Sequence, residues 1–180
     1  IGLLAIDEPF TGLFTQGMIN HLTFRDEAGN WLEPSKVRRV DSGGWVTAEG
    51  GRPVTAGRVE KMSKSKLNTV DPTENIEAYG ADTARLFMLS DSPPDRDLEW
   101  TEGGIDGAWR YINRLWRLVE EARGELPAPG TPVAAAAMSD ADAALRRAMH
   151  RAIAGVSQEL DRFHFNKAVA LIREFSNALE

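Results

Sequence analysis

The sequence contains no cysteine, which excludes disulfide frameworks, thiol nucleophiles and cysteine zinc sites. Its three histidines, His21, His150 and His164, lie too far apart for a sequence-local metal motif, so no metal ligand is assigned. No stretch approaches the ~20 apolar residues that a membrane span needs. The first residues lack a basic region followed by an apolar core, so no signal peptide is expected. A net charge of −6 argues against a uniformly basic nucleic-acid binder, although it leaves room for local basic patches. What remains is ordinary globular material, with 42% apolar and 27% charged residues over 180 positions. That length suits one domain or two small pieces. Ile1 stands where a methionine would open a chain, and Glu180 falls inside an apolar-periodic helix with no stop signal. A piece of a longer protein is therefore expected.

The pattern changes along the chain. Residues 1–22 are apolar with glycine breaks (Leu3, Leu4, Ile6, Phe10, Leu13, Phe14, Met18, Ile19), which fits a short helix leading into a buried strand. Such a strand would have an unpaired edge, so this region is expected to be disordered or paired with another chain. In residues 23–60, Trp31-Leu32, Val37 to Val40 and Trp45-Val46-Thr47 alternate with turn signals at Glu27–Asn30, Ser42–Gly44 and Gly50-Gly51. That predicts small antiparallel hairpins with too little apolar mass for a core of their own. The segment reads as an insert leaning on a larger body, with Trp31 and Trp45 free either to anchor it or to stack on a base. Residues 61–70 read as a polar loop.

Helices follow. Asp71-Pro72 caps and opens a short one that Gly80 ends, Asp82 caps the next, and Pro93-Pro94 stops it. In residues 103–123, Ile105, Ala108, Trp109, Ile112, Trp116 and Val119 recur at steps of three and four, so Trp109 and Trp116 are expected in a core. Pro127, Pro129 and Pro132 mark a linker, and Ala134–Ala137 is a short low-complexity run. Ser139 with Asp142 resembles a capping box, and Asn166 is expected to open the last helix. Three amphipathic helices in succession are expected to pack on one another. His150 and His164 read as ordinary helical residues.

Lysine is scarce, five residues against sixteen arginines, yet Lys61, Lys64 and Lys66 fall within six positions. A lysine is a compact, mobile charge that can follow a departing phosphate. Interleaved with the hydroxyls of Ser63 and Ser65, such residues suit a polyphosphate whose charge grows during reaction. A solvated surface loop is the ordinary explanation of so short a charge run. Arg110, Arg114 and Arg117, at i, i+4 and i+7, form a stripe beside the apolar face of their helix. It is either a solvated face paired with nearby carboxylates or a phosphate-binding surface.

Lys61-Met62-Ser63-Lys64-Ser65 is identical to the KMSKS signature of class I aminoacyl-tRNA synthetases. Asn68, Asp71-Pro72 and Tyr79-Gly80-Ala81-Asp82-Thr83-Ala84-Arg85 follow it, as in the subgroup that handles leucine, isoleucine, valine and methionine. Thr15-Gln16-Gly17-Met18, Asp97-Leu98-Glu99-Trp100 and Gly104 to Trp116 most resemble the bacterial leucyl-tRNA synthetase family, which also carries a small extra domain just before the signature. The resemblance covers nearly the whole chain and is weakest in 23–60 and 124–140.

What the resemblance implies is an α+β, mostly α fold. Residues 1–22 would be the end of a Rossmann-type nucleotide-binding fold, and 23–60 a small β-rich insert. Residues 61–102 would hold the signature loop and connecting helices, and 103–180 the start of a helical anticodon-binding bundle. It implies leucine activation by ATP with Mg2+ and transfer of the leucyl group to tRNA(Leu), in the cytoplasm, with no membrane and no stable protein partner. Lys64, assisted by Lys61, would stabilise the departing pyrophosphate. Met62, Ser63 and Ser65 would complete the ATP-binding loop, Gly17 and Met18 would lie near the adenine, and Lys66 would add supporting charge. Arg110, Arg114 and Arg117 would meet tRNA. The family's second signature, "HIGH", is absent, as are an editing domain and most of a leucine pocket, so this chain alone is expected to be inactive. A synthetase for isoleucine, valine or methionine, or a non-catalytic helical RNA-binding module, are the rival readings.

Overall fold

The computed structural model describes residues 8–41, 43–132 and 138–180. Leu3, Leu4, Ile6, Ser42 and the Ala134–Ala137 run lie outside them. Among the described residues the fold is α+β, with one six-stranded sheet and five α-helices. No helix among the described residues is long and apolar enough to cross a membrane.

Strand β1 (Ile19–Arg25) is the spine. It turns through Asp26–Asn30 into β2 (Trp31–Leu32). Gly29 takes the left-handed φ of 85° that this turn requires, and the Asp26 carboxylate accepts from the Asn30 backbone N–H at 2.8 Å. Strands β3 (Val37–Arg39) and β4 (Trp45–Thr47) form the expected second hairpin, and β4 hands on to β5 (Pro53–Lys61). β5 then returns antiparallel to β1, with Asn20 opposite Lys61 and Leu22 opposite Val59. A bulge sets Gly57 and Arg58 against Thr23, whose hydroxyl donates to the Arg58 carbonyl at 3.1 Å. A Cβ on Gly57 would fall 2.4 Å from Thr23 Oγ1, so only glycine fits there.

β5 is a strand nine residues long that composition did not reveal, because most of PVTAGRVEK is solvent-exposed and lacks apolar alternation. Lys61 is its last residue, not the first of a loop. Residues 8–18 form no helix, and among the described residues both edges of β1 carry partner strands. β5 covers one side, while β2 and β6 (Leu98–Glu99) share the other. The insert does lean on this spine through aromatic contacts. Trp45 packs on the buried Phe24 with ring centroids 4.8 Å apart, and the Arg25 guanidinium lies 3.8 Å over Trp31.

Helix α1 (Pro72–Tyr79) starts as read, with the Asp71 carboxylate accepting from Thr73 N–H at 2.8 Å. Gly80, at φ 86°, both ends α1 and caps α2 (Ala81–Ser90). Asp82 therefore sits inside the first turn of α2, where it pairs with Arg85 at 3.5 Å instead of capping. Helix α3 (Glu102–Ala122) is capped by Thr101. Phe87, Leu98, Ile105 and Ala108 form the main buried cluster, with Trp100 edge-on to Phe87 at 5.1 Å. This core fastens α2 and α3 to β6, and through β6 to β1.

Helix α4 (Asp140–Asp161) opens with the Ser139–Asp142 capping box. Helix α5 (Phe165–Asn177) is preceded by His164, so Asn166 lies in its first turn and does not open it. His164 Nδ1 lies 2.7 Å from Glu159, and this hydrogen bond is the main reason the glutamate stays below the usual carboxylate range. The expected mutual packing of three helices is only partly realised. α4 packs along α5, and α5 packs against α2 and meets α3 through Tyr111, Arg114 and Arg173. Much of the apolar stripe on α3 is uncovered: Trp109 is 41% and Trp116 71% exposed. Neither tryptophan is a core residue here.

Candidate functional site

The signature residues sit where β5 ends beside the start of β1. Met62 N–H donates to the Ile19 carbonyl at 3.0 Å, so the sheet pairing runs one residue beyond Lys61. Ser63 then takes an extended conformation and precedes a single 3-10 turn, Lys64–Lys66. Leu67 closes that turn in the left-handed region at φ 52°, which a non-glycine residue adopts at a cost of about 1 kcal/mol. The two hydroxyls of Ser63 and Ser65 lie 3.3 Å apart and hold each other.

Asn68, which the sequence reading used only as a flank of the signature, is fully buried. Its Oδ1 accepts from Ser63 N–H at 2.9 Å. Its amide donates to the carbonyls of Glu60 at 3.1 Å, His21 at 3.3 Å and Lys61 at 3.4 Å. No local sequence signal marks an asparagine for this role, because its partners come from β1 and β5 as well as from the loop.

The three lysines differ. Lys66 is ion-paired with Glu60 at the foot of the loop. Among the described residues, no carboxylate pairs with Lys61 or Lys64, and both are exposed. Lys64 lines a groove of about 630 Å³ between the loop, the 33–35 turn of the insert and α1. His21, Asp71, Asn75 and Trp100 also line it. The loop thus offers two cations with unsatisfied charge to an anionic ligand, while the third is neutralised by the scaffold.

Gly17 and Met18 lie one step before the same strand. Gly17 N–H donates to the Pro94 carbonyl at 2.9 Å, and a Cβ there would fall 1.9 Å from the Arg96 carbonyl oxygen. Met18 N–H donates to Asp97 Oδ1 at 2.8 Å, and Asn20 donates to its Oδ2 at 3.1 Å. The Met18 bond, then the Asn20 bond, hold the Asp97 carboxyl below the usual carboxylate range. The stretches Thr15–Met18 and Asp97–Trp100, far apart in sequence, are therefore neighbours in one parallel seam.

The arginine stripe is elsewhere and does not line the loop's groove. Arg110 pairs with Asp106 at 3.2 Å, and Arg114 pairs with Glu180 at 3.2 Å and hydrogen-bonds to Asn177. Arg117 has no carboxylate partner among the described residues and shares a shallow pocket with Arg114, Leu118 and Glu121. On α4, Arg146, Arg147, His150 and Arg151 line another open depression.

Residues 45–101 match the family model of class I tRNA synthetases (I, L, M and V). The chain is 60% identical over 178 residues to the leucine–tRNA ligase of Paramagnetospirillum magneticum, and 55% identical over 178 residues to that of Rhodospirillum rubrum. Each alignment covers 99% of this chain and 20% of the relative. Among solved structures, the agnB2 LeuRS of Agrobacterium radiobacter K84, in a ternary complex with tRNA and LeuAMS, superposes with a TM-score of 0.71 at 26% identity. That match covers 99% of this chain and 18% of the solved one. The chain thus corresponds, almost end to end, to a stretch about one fifth the length of the leucine–tRNA ligases it matches.

Proposed function

We propose that this chain is the signature-loop segment of a leucyl-tRNA synthetase, an enzyme that joins leucine to tRNA(Leu) at the expense of ATP. The observation that carries the reading is the pairing state of the three lysines. Lys66 is satisfied by Glu60, while Lys61 and Lys64 stay exposed and free of carboxylates on an identical KMSKS string. In the activation step the leucine carboxylate attacks the α-phosphate of ATP. The bond to the bridging oxygen breaks, and pyrophosphate leaves with the negative charge. Lys64, assisted by Lys61, stabilises that charge as it develops. Ser63 and Ser65 keep the turn in shape, and Met62 joins it to the sheet. Gly17 and Met18 line the approach to the adenine. Mg2+ arrives with ATP as part of the substrate.

In this reading residues 1–22 end the nucleotide-binding fold, and 23–60 are the insert. Residues 61–102 carry the loop, and residues 103–180 begin the anticodon-binding helices. Arg110, Arg114 and Arg117 face tRNA phosphates, with Arg117 the most available of the three because the other two are already paired. The enzyme works in the cytoplasm, and the isolated 180-residue chain catalyses nothing. Amino-acid-dependent ATP–pyrophosphate exchange by the whole parent protein tests the reading. Exchange with leucine alone is the expected result. Exchange with isoleucine, valine or methionine would correct the substrate, and no exchange from folded protein would overturn the reading.

A further inference from the structure

We infer that Asn68 is a positioning residue for the activation step: it fixes where the signature lysines stand relative to the β1–β5 platform. The inference rests on the function proposed above. Its basis is a single buried side chain that touches three segments at once. Asn68 is 0% exposed, and its amide group engages the carbonyls of His21 on β1 and of Glu60 and Lys61 on β5. Its oxygen holds Ser63 N–H, the residue just before the Lys64–Lys66 turn.

The arrangement is directional. A reversed amide would set an oxygen against three carbonyl oxygens, so the surroundings select one orientation. The two loop ends, Ser63 and Asn68, are thereby bound to each other at 2.9 Å, and both are anchored at the end of β5. The backbone of Lys64 lies between these fixed points and moves only with the short loop they close, while its side chain stays free to follow the phosphate. Lys61 is tied more directly, through its own carbonyl. Asn68 touches neither phosphate nor leucine in this account and acts only through the lysines. Its loss should therefore slow the chemical step far more than it weakens leucine binding.

The test uses the full-length parent enzyme and leucine-dependent ATP–pyrophosphate exchange. Asn68→Ala is compared with wild type, with Lys64→Ala and with the double variant. The expected result is a kcat loss of about tenfold or more in Asn68→Ala with KM for leucine changed less than about twofold. In the Lys64→Ala background, the same substitution should cost less than about threefold, because the charge that it positions is gone. Multiplicative losses in the double variant would overturn the inference, as would a wild-type kcat in Asn68→Ala. If Asn68→Ala does not fold, the same values are read from Asn68→Ser, whose shorter hydroxyl stays neutral and can keep one local bond but cannot span all three segments. Loss of folded protein in both variants would overturn it too, since Asn68 would then be a residue of general stability. Absence of exchange in wild type is a separate failure, that of the proposed function itself.

Discussion

The two ends of the molecule place their cations in opposite ways. At the sheet end, positions are fixed by polar side chains that bind the backbone of distant segments. Asn68 joins loop, β1 and β5, and Asp97 joins β6 to β1 across 79 residues of sequence. At the helical end, Arg110 and Arg117 stand exposed on α3, only Arg114 is tied across to the C-terminal segment, and Trp109 and Trp116 are open to solvent. The difference teaches what each region can do. A group that must meet one reacting atom needs its backbone held from several sides. A surface that meets a long polyanion needs only charge at intervals, which a helix supplies without such ties.

The strongest way to break this contrast is a pair of glycines. Gly17→Ala would drive a Cβ into the backbone of Arg96 at 1.9 Å, forcing β6 off β1. Urea unfolding should show a loss of about 2–3 kcal/mol. Gly107→Ala on α3 meets nothing within 4 Å, and should gain up to about 1 kcal/mol from helix propensity. Similar effects at the two sites would erase the contrast.

Acid probes the sheet end next. Asp97 has a depressed pKa in the folded protein, so its ties to Met18 and Asn20 add stability at pH values above the unfolded carboxylate pKa of about 3.9. That stability is lost as pH falls through the folded value. Unfolding measured between pH 6 and 3 should show Asp97→Ala less stable than wild type at pH 6, with the gap narrowing toward pH 3. A gap independent of pH would contradict the assignment.

A smaller effect is expected in tRNA binding by the whole enzyme. Arg117→Gln should reduce the slope of log affinity against log salt by about 0.7–0.9, the release of one counterion. Arg114→Gln should change that slope less and stability more, because Arg114 is already bound to Glu180 and Asn177. Equal slopes would show that pairing does not decide which arginine is available. The smallest effect belongs to Trp116, 71% exposed. Trp116→Ala in this chain should alter unfolding free energy by no more than about 0.5 kcal/mol, against about 3–5 kcal/mol for a core tryptophan.

Local chemistry was the legible part of the sequence. The Asp71 and Ser139 caps, the Gly80 stop and the span of α3 follow from residues within one turn of each other. What escaped was decided at a distance. β5 is read as a strand only once β1 and β4 pair with it. The apolar stripe of α3 gives the helix but not its cover, so it points Trp109 and Trp116 to a core that α4 does not complete. Asp82 and Asn166 are each a good capping residue, but the chain geometry moved the caps to Gly80 and His164. At the candidate site, the lysines were legible from spacing, while the residue that holds them, Asn68, was not, because three of its partners lie on two strands.

In the proposed function, pairing sorts the lysines: Lys64 is left for the leaving phosphate, and Lys66 is held by Glu60. Leucine-dependent ATP–pyrophosphate exchange by the whole enzyme, comparing Lys64→Ala with Lys66→Ala, tests it most directly. The account predicts a loss of about 100-fold or more for Lys64→Ala and only a few-fold loss for Lys66→Ala, the scale of an exposed ion pair. Equal losses in the two variants, or the larger loss at Lys66, would contradict it.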